Sequence, residues 1–130
     1  MSYPPEFLYT KDHEWIRVDE NVGTIGITDY AQKELGDIVY VELPKVGDHV
    51  TAKESFGTVE SVKAVSEIYS PVDGEVLAAN PKVQASPELV NADPHGEAWL
   101  IQVHLVDRSD LEGLMTAEEY EAFISQEKAH

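Results

Sequence analysis

Short runs of β-favouring residues, separated at regular intervals by turn residues, constrain the fold of this 130-residue chain most strongly. Runs of this kind lie at residues 7–9, 14–18, 22–27, 37–43, 50–52, 56–62, 65–69, 75–79 and 98–105. Segments this short and this evenly spaced predict strands of a small sandwich or barrel. We therefore expect an α+β fold that is mostly β, with short helices and a C-terminal helix.

Helix signals occupy the remaining segments. Asp29 offers an N-cap with Gln32 three residues later, so a short helix is predicted through Leu35, ended by Gly36. Residues 80–95 are rich in Pro, Asn and Ser, and a helical turn is predicted near 87–90.

The C-terminal segment has the strongest helical pattern. Two pairs match the capping-box spacing, Ser109 with Glu112 and Thr116 with Glu119. Three apolar side chains then share one helical face, which we expect to pack against the core: Tyr120, Phe123 and Ile124. We expect residues 1–130 to form one domain, with a core over about 7–106 and a helical segment over about 109–127.

The charge excludes several classes of partner. Nine basic residues against 25 acidic ones give a net charge of −16, and only two of the basic residues are arginines. Nucleic acids and anionic membranes need clustered Lys and Arg, so neither is an expected partner. Residues 1–7 resemble neither a signal nor a transit peptide, and no apolar run approaches the roughly 20 residues of a membrane span. We expect a cytoplasmic monomer.

No motif for enzymatic catalysis is present. The chain has no cysteine, so the protein itself supplies no thiol for redox chemistry or metal binding. Its five histidines form no His-Glu-x-x-His pattern, and three consecutive residues around His13 point to alternate faces of a strand. Neither a phosphate-binding loop nor a Gly-x-Ser-x-Gly elbow occurs. We expect no metal site and no catalytic residue.

Lys63 lies between two β-like runs of nearly mirrored sequence, Glu60-Ser61-Val62 and Val65-Ser66-Glu67. This arrangement predicts a hairpin with the lysine at its tip. A nucleophilic lysine needs a lowered pKa, whereas the flanking carboxylates favour the charged ammonium. Lys63 is therefore better suited to acylation by a separate enzyme, although the spacing alone favours an ordinary surface lysine in a turn, because hairpin lysines are common.

Motifs along most of the chain resemble the glycine cleavage system H protein family. The lysine segment carries the resemblance first, in residues 60–64 followed by Ser-Pro-Val-Asp-Gly-Glu-Val at 70–76. Further matching segments lie at residues 13–15, 25–32, 35–37, 41–47, 87–91, 99–100 and 114–120. One position departs from the pattern, because Ala98 stands where the family is expected to have glycine.

The resemblance implies a hammerhead fold like that of lipoyl and biotinyl domains, a flattened barrel-sandwich hybrid. It also implies lipoic acid in amide linkage to Lys63, and a carrier that is not itself an enzyme. The implied partners are glycine decarboxylase with pyridoxal phosphate, tetrahydrofolate-dependent aminomethyltransferase, the FAD enzyme dihydrolipoamide dehydrogenase, and a lipoylating enzyme.

Further site residues follow from the resemblance. Glu60 and Gly74 match positions that the lipoylating enzyme reads, Glu60 as a charged handle and Gly74 by shaping a nearby turn. We also hypothesise that Asp12, Glu14 and Glu67 form a carboxylate cradle for the cationic amine of a loaded arm.

Three other functions compete with this one. A lipoyl domain of a 2-oxoacid dehydrogenase is usually followed by an Ala/Pro-rich linker and has Asp before the lysine, whereas Val62 stands there in this chain. A biotin carrier has Met on both sides of the lysine, in place of Val62 and Ala64. An unmodified acidic adaptor is the third alternative.

Overall fold

A computed structural model describes residues 3–128 as nine strands, four α-helices and one 3-10 turn. The strands are β1 (Leu8–Tyr9), β2 (Glu14–Asp19), β3 (Val22–Ile27), β4 (Ile38–Glu42), β5 (His49–Val50), β6 (Ser55–Ser61), β7 (Val65–Tyr69), β8 (Gly74–Ala79) and β9 (Ile101–Leu105). The helices are α1 (Asp29–Leu35), α2 (Pro81–Ala85), α3 (Leu89–Ala92) and α4 (Ala117–Lys128), and the 3-10 turn is Arg108–Leu111. The predicted mostly β composition with short helices and a C-terminal helix is confirmed.

The strands form two open sheets. Six strands make the larger sheet in the order β1-β2-β3-β9-β8-β5, and three make the smaller one in the order β4-β6-β7. Neighbouring strands within each sheet pair antiparallel. Lys63 lies in the turn between β6 and β7, so the predicted hairpin is confirmed.

Two apolar clusters hold the sheets and short helices together. The first joins the inner face of the small sheet, including Val41, Val59 and Ile68, to Val83 of α2 and Val90 of α3. The second covers the large sheet and is formed by buried side chains of β2, β3, β5, β8 and β9, with Phe56 of β6 packed against it. Burial of these aliphatic side chains is the main favourable contribution to folding.

A third cluster is aromatic and attaches α4 to the N-terminal strands. Tyr120 is fully buried and stacks on Tyr9, with ring centroids 4.8 Å apart. Its hydroxyl lies 2.7 Å from Oγ1 of Thr28 and 2.8 Å from Nδ1 of His13, and Nε2 of His13 lies 3.2 Å from the Glu127 carboxylate. This network satisfies the buried hydroxyl, as buried polar groups require. The expected packing of the Tyr120 face against the core is confirmed.

The capping of α1 corrects one expectation. Thr28, not Asp29, is the N-cap, because its backbone is extended and its Oγ1 accepts the Ala31 N–H at 3.2 Å. Asp29 is the first helical residue, and its carboxylate forms an ion pair with Lys33 at 3.0 Å.

The segment over residues 80–95 contains more helix than predicted. Asn80 accepts the Lys82 N–H at 3.0 Å and is followed by Pro81, which together start the unpredicted helix α2. The predicted turn near 87–90 corresponds to α3. The last strand is shorter than predicted, because residues 98–100 precede its start at Ile101.

Only one of the two predicted capping boxes forms. Oε1 of Glu119 accepts the Thr116 N–H at 2.9 Å, and Oγ1 of Thr116 accepts the Glu119 N–H at 3.2 Å, which confirms the box before α4. The box at Ser109 is wrong, because the carboxylate of Asp107 accepts the Ser109 N–H instead and starts the 3-10 turn.

Within residues 3–128, no helix is long and apolar enough to span a bilayer.

Candidate functional site

Ser61 fixes the turn that carries Lys63. Its Oγ accepts the N–H groups of Lys63 and Ala64, each at 3.1 Å, and donates to the carbonyl of Ala64 at 3.2 Å. The backbone N–H of Ser61 also donates to that carbonyl at 2.8 Å. A serine that bonds the backbone two and three residues later is a local turn former. The position of the lysine backbone is thus set within four residues.

The segment between α1 and β4 stabilises this turn through one backbone hydrogen bond and one close contact. The Val62 N–H donates to the carbonyl of Asp37 at 3.0 Å. Gly36 has a left-handed φ of +83°, and a Cβ placed on it would lie 3.1 Å from Cε of Lys63. The aliphatic stem of Lys63 therefore passes over the bare backbone of Gly36.

Asn91 links the supporting elements to one another. Its Oδ1 accepts the Ile38 N–H, and its Nδ2 donates to the carbonyl of Gly36 and to Oε1 of Gln32, each at 2.9 Å. One side chain of α3 thereby joins the end of α1 to the start of β4. Because these bonds are partly shielded from water, losing the amide would leave several polar groups without partners.

The lysine itself is exposed, with carboxylates nearby in the small sheet. Across residues 3–128, no ion pair involves Lys63, so Glu60 and Glu67 do not hold its ammonium in a fixed position. Glu60 is exposed in the middle strand, between Tyr40 of β4 and Val65 of β7. An exposed amine on a rigid turn is accessible to another protein.

A cavity of about 610 Å³ lies at the far end of β7 from the lysine turn. Its wall combines apolar side chains with charges of both signs, and includes Tyr9, Thr10, Lys11, Asp12, Glu14, Lys53, Tyr69, Asp110, Leu114 and Met115. Val65, Glu67 and Tyr69 alternate with the buried Ile68, so all three lie on one face of the strand that leads from Lys63 to the cavity. The four residue steps from Val65 to Tyr69 span about 14 Å.

Glu14 is the most unusual residue of this cavity, because it is charged in its ordinary state and only 2% exposed. One oxygen accepts the Thr10 hydroxyl at 2.6 Å, and the other accepts the Tyr69 N–H at 3.1 Å. Burial raises the pKa of Glu14 from 4.5 to about 7, although these two hydrogen bonds oppose the shift. A buried carboxyl of this kind favours a cationic partner that enters the cavity.

The other members of the predicted cradle differ in position. Asp12 lines the cavity with Glu14, whereas Glu67 does not contribute to its wall. Glu67 is exposed on the side of the small sheet that is turned to solvent, two residues before Tyr69. The structure therefore brings two of the three carboxylates together and leaves the third between the cavity and Lys63.

Gly74 lies in the larger sheet, apart from the lysine turn. It is the first residue of β8 and pairs with Val50 and Leu105. A Cβ placed on it would lie 2.5 Å from the carbonyl oxygen of His104, so a neighbouring backbone requires glycine there. The expectation that Gly74 shapes a turn is corrected, because the residue is a tightly packed strand position.

No group of three or more His, Cys, Asp or Glu among the described residues has the arrangement of a metal site. His13 and His95 are instead engaged in packing, where burial lowers the pKa of both imidazoles despite nearby carboxylates. Nε2 of His95 accepts the Asp29 N–H at 3.1 Å.

Comparison with known proteins identifies the family. The model of the family described as "Glycine cleavage H-protein" matches residues 7–127. The chain belongs to the glycine cleavage H-protein family. Curated relatives named glycine cleavage system H protein include that of Halothermothrix orenii, 52% identical over 97% of this chain and 98% of the relative, and that of Staphylococcus saprophyticus, 53% identical over 97% and 100%.

A solved structure supports the same fold. The glycine cleavage system H protein of Mycobacterium marinum superposes with a TM-score of 0.86 at 37% identity, covering 92% of this chain and 97% of that one. The predicted hammerhead architecture is thus confirmed. H proteins are the lipoyl carriers of the glycine cleavage system, so this chain is a carrier and not a catalyst. The family membership decides against the three alternative functions.

Several residues that position the site were not identified from the sequence. Ser61 forms hydrogen bonds within the lysine turn, Gly36 lies against the Lys63 stem, and Asn91 donates to the carbonyl of Gly36. A serine two residues before Lys63 is a signal for a side-chain-stabilised turn and is readable from the sequence. The contact of Gly36 with Lys63 depends on packing between α1 and the β6–β7 turn, for which the sequence contains no local signal.

Proposed function

We propose that Lys63 is the lipoyl attachment site and that the cavity around Glu14 receives the loaded arm. The observation that carries this proposal is the exposed, unpaired lysine on a turn fixed by Ser61, at one end of a strand face that leads to the cavity. When bound, lipoic acid supplies the dithiolane that a cysteine-free chain lacks. The residues present suit this group, because the turn is rigid and the amine is accessible.

The roles of the cavity residues follow from their chemistry. Glu14 and Asp12 stabilise the cationic amine of the cargo, while Leu114 and Met115 limit its contact with water. A cation beside the buried Glu14 carboxylate replaces part of the solvation that burial removed. Glu67 extends the same negative surface toward Lys63. Glu67 then acts along β7, before Asp12 and Glu14 act together at the cavity.

Glu60 and Gly74 contribute differently to lipoylation in this proposal. Glu60 is exposed beside the turn, so it can contact the lipoylating enzyme directly. Gly74 has no side chain and is buried, so its contribution passes through the packing of β8 against β9.

The partners are those of the family's cycle. We propose that glycine decarboxylase loads the aminomethyl group, aminomethyltransferase removes it, and dihydrolipoamide dehydrogenase reoxidises the dithiol. The chain acts as one carrier domain in this cycle, because the buried ring of Tyr120 stacks on Tyr9 of β1 and attaches α4 to the strands.

Attachment is tested by intact mass after the apo protein is incubated with lipoate, ATP and a lipoate–protein ligase. We expect a single lipoyl addition that is lost in Lys63→Arg and retained in Lys45→Arg, another exposed lysine. A lipoyl adduct that persists in Lys63→Arg would contradict the proposal.

The cavity is tested by the spontaneous release of ammonia and formaldehyde from the loaded protein. Glu14→Ala should release them faster than the wild type, because the amine loses its buried carboxylate. Glu75→Ala removes an exposed carboxylate of β8 and should leave the rate unchanged. Equal release rates in the wild type and Glu14→Ala would exclude Glu14 from this role.

A further inference from the structure

Apolar side chains are exposed beside Lys63 in an unusual arrangement. Seven large apolar residues of the described chain are exposed, and four of them lie at this end of the small sheet: Val39 (50%), Tyr40 (52%), Val62 (68%) and Val65 (63%). Single exposed apolar residues are normal, whereas a group of them around one position indicates a contact surface.

The register of the small sheet places these residues side by side. Tyr40 pairs with Glu60, and Glu60 pairs with Val65, so the three form one row across β4, β6 and β7. The next row on the same face is Glu42, Thr58 and Glu67, while Val41 and Val59 between the rows face the core. Directly paired residues share a face, and this face is turned to solvent.

A β-bulge enlarges the apolar part of this surface. The pairing of β4 with β6 shifts between Ile38 and Tyr40, and two consecutive residues, Val39 and Tyr40, are both exposed as a result. In a regular strand one of them would face the core. Bulges redirect side chains at functional positions, and this bulge adds an exposed side chain next to the lysine turn.

The charge around the apolar residues has one sign. Lys63 is the only basic residue within residues 38–42 and 55–69, whereas Glu42, Glu60 and Glu67 lie in the two exposed rows. Any enzyme that modifies Lys63 must approach within a few ångströms of its Nζ and therefore contacts the neighbouring side chains. A complementary surface has an apolar hollow for Tyr40 and Val65, bordered by Lys and Arg for the carboxylates.

We propose that the lipoylating enzyme docks on this face. We name it the outer face and define it by six residues: Tyr40, Glu42, Glu60, Val62, Val65 and Glu67. The inference rests on the proposed attachment at Lys63 and extends it from the hairpin to the edge strand β4. Tyr40 supplies the largest apolar contact, since an aromatic ring at an interface buries much area at little entropic cost.

The test measures steady-state lipoylation of the apo protein by a purified lipoate–protein ligase, with the protein substrate varied. Tyr40→Ser and Val65→Ser should raise KM for the protein about tenfold each, with kcat nearly unchanged, because they remove docking contacts and leave Lys63 in place. Leu77→Ser and Val106→Ser remove apolar side chains that are 41% and 68% exposed elsewhere, and should behave as the wild type.

Salt provides an independent measurement. Higher ionic strength should raise KM of the wild type, and Glu42→Gln combined with Glu67→Gln should weaken that dependence, because fewer charge pairs remain to be screened. Urea midpoints of all variants should stay close to the wild type, since every substituted side chain is exposed.

The outcomes separate the two proposals. Absence of a lipoyl adduct on Lys63 of the wild type would overturn the attachment site. Normal lipoylation of the wild type, with Tyr40→Ser and Val65→Ser matching the Leu77 and Val106 controls, would overturn only the docking surface.

Discussion

The lysine turn and the aromatic cluster under α4 are held in opposite ways. Lys63 is exposed, and its position depends on backbone hydrogen bonds to Ser61 and Asp37. Tyr120 is fully buried among rings, and its hydroxyl contacts Thr28 and His13, which are distant in sequence. The turn keeps the Lys63 amine accessible, whereas the cluster excludes water to attach the last helix.

This difference shows how the chain separates stability from function. The aromatic cluster contributes buried apolar area to stability. It contains no residue of β4, β6 or β7. The lysine turn contributes little buried area, so its side chains are available for contact with partners. We therefore expect substitutions in the cluster to lower stability without changing the acylation of folded protein, and substitutions at the turn to do the reverse.

Removal of the central ring breaks the cluster most strongly. Tyr120→Ala should lower the free energy of unfolding by about 4 kcal/mol, because it leaves a cavity and unpaired polar groups. Urea denaturation measures this loss. The rate of lipoylation at Lys63, measured in the folded protein without denaturant, should match that of the wild type.

Tyr120→Phe separates the ring from its hydroxyl. It keeps the stack on Tyr9 and removes the contacts to Thr28 and His13, so a smaller loss of about 1–3 kcal/mol is expected. Much slower lipoylation of folded Tyr120→Ala than of the wild type would show that the cluster and the turn are coupled. It would contradict the separation of stability from function.

Glu14 lies between the two regions, and its effect depends on pH. Its pKa is raised from 4.5 to about 7 on folding, so the folded state binds more protons than the unfolded state between these values. Stability from this group is therefore lost as the pH rises from about 4.5 to about 7, by roughly 3 kcal/mol. As the pH rises from 4.5 to 8, the free energy of unfolding of Glu14→Gln should increase by this amount relative to that of the wild type.

Comparing the two proteins at each pH removes the contributions of other groups. Burial lowers the pKa of His13 and His95, so these residues add stability as the pH rises toward 6.5, the opposite trend. Both occur in the wild type and in Glu14→Gln and cancel in the difference. A difference in stability that does not change with pH would show that Glu14 titrates normally.

The sequence predicts local features of this fold well and contacts between distant segments poorly. The β6–β7 hairpin and the Thr116 capping box depend on neighbouring residues, and both formed as predicted. The composition of residues 80–95 predicts a loop at Asn80, whereas Asn followed by Pro is a start signal and α2 begins there.

The site shows the same limit. The family resemblance indicates Lys63, and the cationic amine of the cargo motivates the hypothesis of a cradle formed by Asp12, Glu14 and Glu67. The burial of Glu14 depends on a contact from β2 to the Tyr69 N–H of β7, 55 residues away, which no local pattern indicates. The exposure of both Val39 and Tyr40 depends on a bulge that alternation rules do not predict.

Two glycines with left-handed backbones test the lysine turn with the smallest expected change in stability. Gly36 has φ +83° and lies against Lys63, whereas Gly47 has φ +95° and no heavy atom within 4 Å of a built Cβ. Alanine at either position should cost about 1–2 kcal/mol, because an L-residue is strained there. Urea denaturation should give similar losses for Gly36→Ala and Gly47→Ala.

Only Gly36→Ala should also change the position of the Lys63 stem and the rate of lipoylation. Its methyl group would lie 3.1 Å from Cε of Lys63, so the stem must shift by a few tenths of an ångström, and the rate of lipoylation should fall slightly. Gly47→Ala is also strained by a positive φ and leaves Lys63 untouched, so its rate should equal that of the wild type. Equal rates in both variants would mean that the position of the stem over Gly36 has no part in presenting the amine, and that the turn alone is sufficient.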